Sequence, residues 1–217
     1  MNKQLVIKRT QEFVKETLKI EGTGHDWQHV YRVWKATIHI GKEEKADMFI
    51  VELAALLHDI ADWKFHSGDQ SVGPKKAREW LESQGVDEQI IFQVCEIIAN
   101  MSFKGAKVEN KIKTLEGKIV QDADRLDAIG AIGIGRAFAY GGHKNRALHD
   151  PGVKPEIHQT AEHYHNSNGT TINHFYEKLF LLKDLMNTKT GKNMAEHRHK
   201  FTEEFLKEFL DEWDGKK

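Results

Sequence analysis

Apolar residues recur along almost the whole chain at three- and four-residue steps, and the strict alternation of a half-buried strand is nearly absent. The pattern predicts an all-α protein. Residues 2–20 read as a first helix of mixed polarity, ended by the glycines of EGTG (21–24). Asp26 is placed to cap a helix running to about Ile40. In that helix Trp27, Tyr31, Trp34 and Ile38 form one stripe, and His29, Val33, Ala36 and Ile40 form another. A helix apolar on two sides is buried, which turns His29 toward an interior. Asp47 can cap the next helix, MFIVELAALLHDI, which is apolar nearly all round and ends in His58 and Asp59.

Gly73-Pro74 opens a helix through KKAREWLESQ that Gly85 closes, and residues 88–100 form another with Ile91, Val94 and Ile98 inward. SFKGAKVENK (102–111) reads as a loop. From Thr114 the pattern predicts one helix through Phe138, with Gly130, Gly133 and Gly135 packed close to a neighbour. Residues 141–168 hold two of the three prolines and five histidines, and read as a long, partly mobile loop. Two long helices, over about 170–213, close the chain. One carries Phe175, Leu179, Leu182 and Met186; the other carries Phe201, Phe205, Phe209 and Trp213.

Composition sharpens this picture. Average usage of roughly 5% would put about 11 prolines in a chain of this length; there are 3 in 217 residues, as long helices require. One cysteine cannot form an internal disulfide. Lys and Arg number 32 against 33 Asp and Glu, so the chain lacks the field expected of a binder of nucleic acid polymers or membrane surfaces. The charged start MNKQLVIKRTQEFVKE is unlike a secretory signal, and the least charged run, AIGAIGIG (128–135), is far too short to span a bilayer. A cytoplasmic protein is expected. Thirteen histidines raise the question of metal binding, since histidine is the commonest metal ligand.

Three pieces on separate helices carry the chemistry: His29, the pair His58-Asp59, and Asp124 in DADRLDA. Each sits in an apolar helix, where an unpaired charge is costly, and a shared cation would satisfy all four. Two imidazoles and two carboxylates suit a six-coordinate divalent ion, Mn²⁺ or Mg²⁺ first, with Fe²⁺, Ni²⁺, Co²⁺ or Zn²⁺ as alternatives. HDWQH (25–29) echoes the zinc-peptidase string HExxH, with Asp in place of Glu.

The strings around these residues, HVYRV at His29, AALLHDI at His58 and Asp59, and IVQDADRLDAIGAIGI at Asp124, resemble the HD-domain superfamily of metal-dependent phosphohydrolases. The order of a histidine, an HD pair and a lone aspartate matches the family's ligand pattern residue by residue. Two-metal members of the family carry further histidines between the HD pair and the late aspartate; in residues 60–123 the only histidine here is His66, so the resemblance implies a single ion. The resemblance implies a single all-helical HD domain over 1–217, with the metal-site core at about 25–135. The tail strings NHFYEKLFLLKDLMN and RHKFTEEFLKEFLDEW look like those of small stand-alone bacterial members, some of which are nucleotide pyrophosphohydrolases. A small phosphorylated metabolite, a nucleotide, is the implied partner.

Asp62 lies at an offset where many members of the family carry an acidic residue that positions or activates the attacking water. Lys64 and Lys104 are candidates for neutralising phosphoryl charge. Arg32, one turn after His29, is placed either to reach phosphate or to pair with a buried carboxylate. His25 is a candidate for the pocket mouth, and Asp127 for lining the pocket or bonding a ligand. Phosphomonoester or cyclic-nucleotide cleavage would use the same site. A non-catalytic helical binding module is a further alternative, although a scaffold needs none of the four ligands. A homodimer through the terminal helices is also compatible with the sequence.

Overall fold

The computed structural model describes residues 1–19, 26–61, 69, 71–101, 111–156 and 169–217. Among the described residues it is all-α: nine α-helices and two 3-10 turns, with no strand. The chain divides into two compact units, one built on Met1–Ser102 and Asn110–Ala123, the other on Asp124–Lys217.

The first unit contains α1 (Lys3–Thr17), α2 (Trp27–Glu43), α3 (Met48–Leu57), α4 (Val72–Ser83), α5 (Glu88–Asn100) and most of α6 (Leu115–Asp127). Its helix starts follow from short polar side chains, at the expected Asp26 and Asp47 and also at Asp87. Asp26, Asp47 and Asp87 each accept from a backbone N–H of the first turn of α2, α3 and α5. Helix α3 is the centre of the unit, packed by α1, α2 and α5. Val51 and Leu53 to Leu57 have no exposed surface, which explains a helix apolar on every side. The Trp80 indole donates to Thr10 Oγ1 at 2.9 Å and its ring stacks on Phe13 at 4.0 Å, joining α4 to α1. Cys95 is half-buried, its thiol donating to the Pro74 carbonyl at 3.4 Å, and burial pushes its pKa up. It is a packing residue, poorly suited to serve as a nucleophile.

The second unit contains the end of α6, then α7 (Gly130–His143), α8 (Thr171–Glu177), 3-10 turns at Leu179–Leu181 and Lys183–Leu185, and α9 (Lys189–Trp213). Three expectations need correction here. The single helix from Thr114 to Phe138 is two helices, because Ile129 is extended (φ −128°, ψ 164°) and Gly130 takes φ +75°, a left-handed conformation that favours glycine. Of the other glycines in that stretch, Gly135 has no neighbour close enough to meet an added Cβ, so it does not mark close packing. The helix expected to carry Phe175 through Met186 stops at Glu177, where Lys178 (φ −140°, ψ −56°) leaves helical geometry; the rest is 3-10 turns.

The stretch expected as a partly mobile loop, 141–168, also reads differently where it is described. Helix α7 continues to His143. The Ala147 and Leu148 carbonyls accept from Thr171 and Ile172 N–H at 3.0 Å each, and Asn173 donates to the Val153 carbonyl at 3.1 Å. Residues 157–168, with His158, His163 and His165, lie outside the described residues. Around α8 and α9 an aromatic cluster surrounds the buried Phe175 and runs out to the exposed Trp213. Phe205 stacks on Phe175 at 6.1 Å, Phe138 meets both edge-on, and the His149 ring packs against Trp213 at 5.1 Å.

Candidate metal centre

Two helix ends build the centre. At the start of α2, Asp26 Oδ1 accepts from the His29 N–H at 2.9 Å. The acid of HDWQH is thus occupied as a helix cap, whereas the zinc-peptidase reading would make it a base. The same bond fixes the backbone of His29. Asp26→Ala should lower stability by about 1 kcal/mol, or about 2–4 °C in melting temperature, with Asp26→Ser restoring most of it; thermal melting followed by circular dichroism checks both.

At the other end, α3 stops at Leu57 and leaves its last carbonyls without helical partners. His58 answers one of them: its Nδ1 lies 2.8 Å from the Ala55 carbonyl oxygen. A carbonyl can only accept, so the proton sits on Nδ1 and the lone pair on Nε2 faces away from it. This is how a backbone oxygen sets the tautomer of a metal-binding histidine. The C-terminal end of a helix also carries partial negative charge, which favours a cation there. Helices α2 and α3 pack on each other, with the Trp34 indole donating to Glu52 at 3.0 Å.

Packing of α2 on α3 brings three donor atoms together. His29 Nε2 is 3.3 Å from His58 Nε2 and 3.3 Å from Asp59 Oδ2, and His58 Nε2 is 3.4 Å from the same oxygen. The two imidazole side chains are 1% and 3% exposed, Asp59 22%. Buried ring nitrogens and a carboxylate oxygen in a near-equilateral triangle have one economical partner. Two ligand atoms each about 2.1 Å from an ion, and about 90–109° apart as seen from it, are separated by about 3.0–3.4 Å. The observed edges fall in that range, so the donor set fits a divalent cation, with Asp59 on the accessible side. Among the described residues, this is the group of three or more such side chains close enough to hold an ion.

The remaining sequence candidates fall in several places. Asp124 is half-buried on α6, in its last turn. Asp127 is buried, and its Oδ2 accepts from Arg136 Nη1 on α7 at 2.5 Å. Arg32 is half-buried, one turn beyond His29 on α2. His25, Asp62, Lys64 and Lys104 lie outside the described residues. Sequence reading does not single out Arg136; its signal is a lone cation in the glycine-rich run AIGAIGIGRAF, where a charge needs a partner.

A His-His-Asp triangle at the ends of two packed helices, in an all-α chain, agrees with the resemblance drawn from the sequence. The HD domain family profile matches residues 26–129, a span that takes in His29, His58, Asp59 and Asp124. The chain belongs to the HD superfamily of metal-dependent phosphohydrolases. It is 39% identical over 204 residues to the Bacillus subtilis (strain 168) protein YpgQ, which covers 94% of this chain and 91% of YpgQ. YpgQ has been solved in complex with ADP; that structure matches with a TM-score of 0.78 and 34% identity, over 98% of this chain and 96% of the other. A Lactobacillus plantarum protein structure matches with a TM-score of 0.83 and 37% identity, over 99% and 100%. A HD-superfamily hydrolase from Bacillus thuringiensis matches with a TM-score of 0.78 and 45% identity, over 98% and 99%. No helix among the described residues is long and apolar enough to cross a membrane.

Proposed function

We propose that the whole chain, 1–217, acts as one HD domain that hydrolyses a nucleoside triphosphate to the monophosphate and pyrophosphate. The observation that carries the proposal is the triangle of His29 Nε2, His58 Nε2 and Asp59 Oδ2 with edges of 3.3–3.4 Å. The nucleotide class is supported by YpgQ, which binds ADP in its crystal structure. In this reading His29, His58 and Asp59 hold a single divalent ion, and Asp124 supplies the fourth ligand, as the sequence order of the family pattern suggests. Two nitrogen donors favour Mn²⁺ over the oxygen-seeking Mg²⁺. When bound, such an ion lowers the pKa of water and polarises a phosphoryl oxygen.

The chain's own residues do the rest. Asp62 takes the proton from the attacking water, a role that requires a base within hydrogen-bond reach. The attack on phosphorus is in line with the leaving pyrophosphate, and Lys64, Lys104 and Arg32 balance the charge that develops on the phosphoryl oxygens. His25 serves substrate binding, and of the two roles open to Asp127 its bond to Arg136 favours supporting Asp124 over lining the substrate site.

A panel of ribo- and deoxyribonucleoside triphosphates with Mn²⁺, assayed separately for pyrophosphate and orthophosphate, tests the reaction. Pyrophosphate and monophosphate in equal amounts are expected. Orthophosphate as the sole released product would replace the proposal with terminal phosphate removal. Absence of any product from triphosphates, monophosphates and cyclic nucleotides with both Mn²⁺ and Mg²⁺ would count against hydrolysis of nucleotides altogether.

A further inference from the structure

The joint between α6 and α7 lies just beyond Asp124, and several polar contacts of the second unit converge on it. Arg136 on α7 donates to Asp127 Oδ2 at 2.5 Å, and the Asp127 side chain is 4% exposed against 28% for that of Arg136. Arg198 on α9 donates to the Leu126 carbonyl, and Arg125 donates to the Leu185 carbonyl. The Gly130 N–H donates to Thr202 Oγ1 at 3.0 Å. Arg198 side-chain carbons would lie 3.1 Å from a Cβ added at Gly130. Burial lowers the Arg198 pKa, and the charge of Asp127 works against that shift. The Asp127 carboxylate therefore acts on two guanidiniums, from two different helices.

Helical continuity cannot hold the end of α6, because the chain turns away at Ile129 and Gly130, and a helix's last turn otherwise frays. Asp124 and Asp127 are three residues apart and share a face of α6. Whatever fixes Asp127 in rotation and depth fixes Asp124 as well. One contact on Asp127 spans the break: it comes from Arg136, nine residues on.

We infer that Arg136 is a positioning residue for Asp124, acting through Asp127 by locking the last turn of α6 to α7. The inference rests on the reading of Asp124 as a metal ligand. Residues that orient metal ligands from behind typically affect metal affinity about 10–100-fold when removed, so the consequence should appear in metal binding before any turnover is measured.

The test uses the full chain and titrates Mn²⁺ alone, with melting of the metal-free protein and steady-state kinetics alongside. Arg136→Gln should weaken Mn²⁺ binding about 10–100-fold while the metal-free protein remains folded. Arg136→Lys should recover part of the loss, because lysine keeps the charge without the planar fork. Asp127→Asn, nearly isosteric, should reproduce the Gln effect, and it carries the test if Arg136→Gln does not fold. The inference is overturned if these variants lower the metal-free melting temperature but bind Mn²⁺ as the wild type does, since Arg136 is then a structural staple only. Asp124→Asn separates the two readings. If it weakens Mn²⁺ binding and Arg136→Gln does not, the positioning role alone fails. If Asp124→Asn leaves Mn²⁺ affinity unchanged, the ligand assignment fails and the positioning role falls with it.

Discussion

His58→Ala should abolish nucleotide hydrolysis and reduce Mn²⁺ affinity by at least about 10²-fold, the upper end of what loss of a supporting residue already costs. The substitution removes a donor atom 3.3 Å from His29 Nε2 and 3.4 Å from Asp59 Oδ2, leaving the other two without the third corner of their site. It also removes the partner of the Ala55 carbonyl, an unmet acceptor that costs about 1–3 kcal/mol when buried. The two effects are separable by melting with and without metal. Wild-type protein at 100 times its Mn²⁺ dissociation constant gains about 2.7 kcal/mol of stability by mass action. For a chain of this size that is about 5–10 °C in melting temperature. His58→Ala should melt somewhat lower without metal and gain almost nothing from its addition. A variant that still gains the full shift would place the ion elsewhere.

The second large effect is expected at Asp62. A positioned general base contributes about 10²–10⁴-fold to rate, so Asp62→Asn should lower kcat by that factor. Its Mn²⁺ affinity and metal-induced rise in melting temperature should match the wild type, because asparagine keeps the shape while losing the capacity to accept a proton. The contrast with His58→Ala is the informative part: one variant loses the ion and the reaction together, the other keeps the ion and loses the reaction. Unchanged kcat would remove Asp62 from the mechanism, and lost Mn²⁺ binding would make it a ligand.

The parts of this molecule that are legible in the sequence are those decided locally. Asp26 and Asp47 cap their helices as short acceptors preceding apolar-periodic runs must. His29 and His58 stand out because a polar side chain on the apolar side of a helix needs a partner, and the structure supplies each with the other and with Asp59. The α6–α7 break is less readable. A glycine inside a helical pattern can mark a packing contact or a change of direction. The choice at Gly130 is made by Thr202 and Arg198, about 70 residues further along. Similarly, Phe175 to Met186 keeps helical spacing through its 3-10 turns, so periodicity alone extends α8 past the point where Lys178 ends it. Arg136 belongs to the same category, since its role depends on Asp127 reaching it across that break.

The claim on which the rest depends is that His29, His58 and Asp59 bind one divalent ion together. Crystals grown with Mn²⁺ and measured on both sides of the manganese absorption edge locate that ion directly by its anomalous signal. The account predicts a single strong peak about 2.0–2.3 Å from His29 Nε2, His58 Nε2 and Asp59 Oδ2 at once. No peak at that triangle in crystals saturated with Mn²⁺, or a peak held by other side chains, would contradict it.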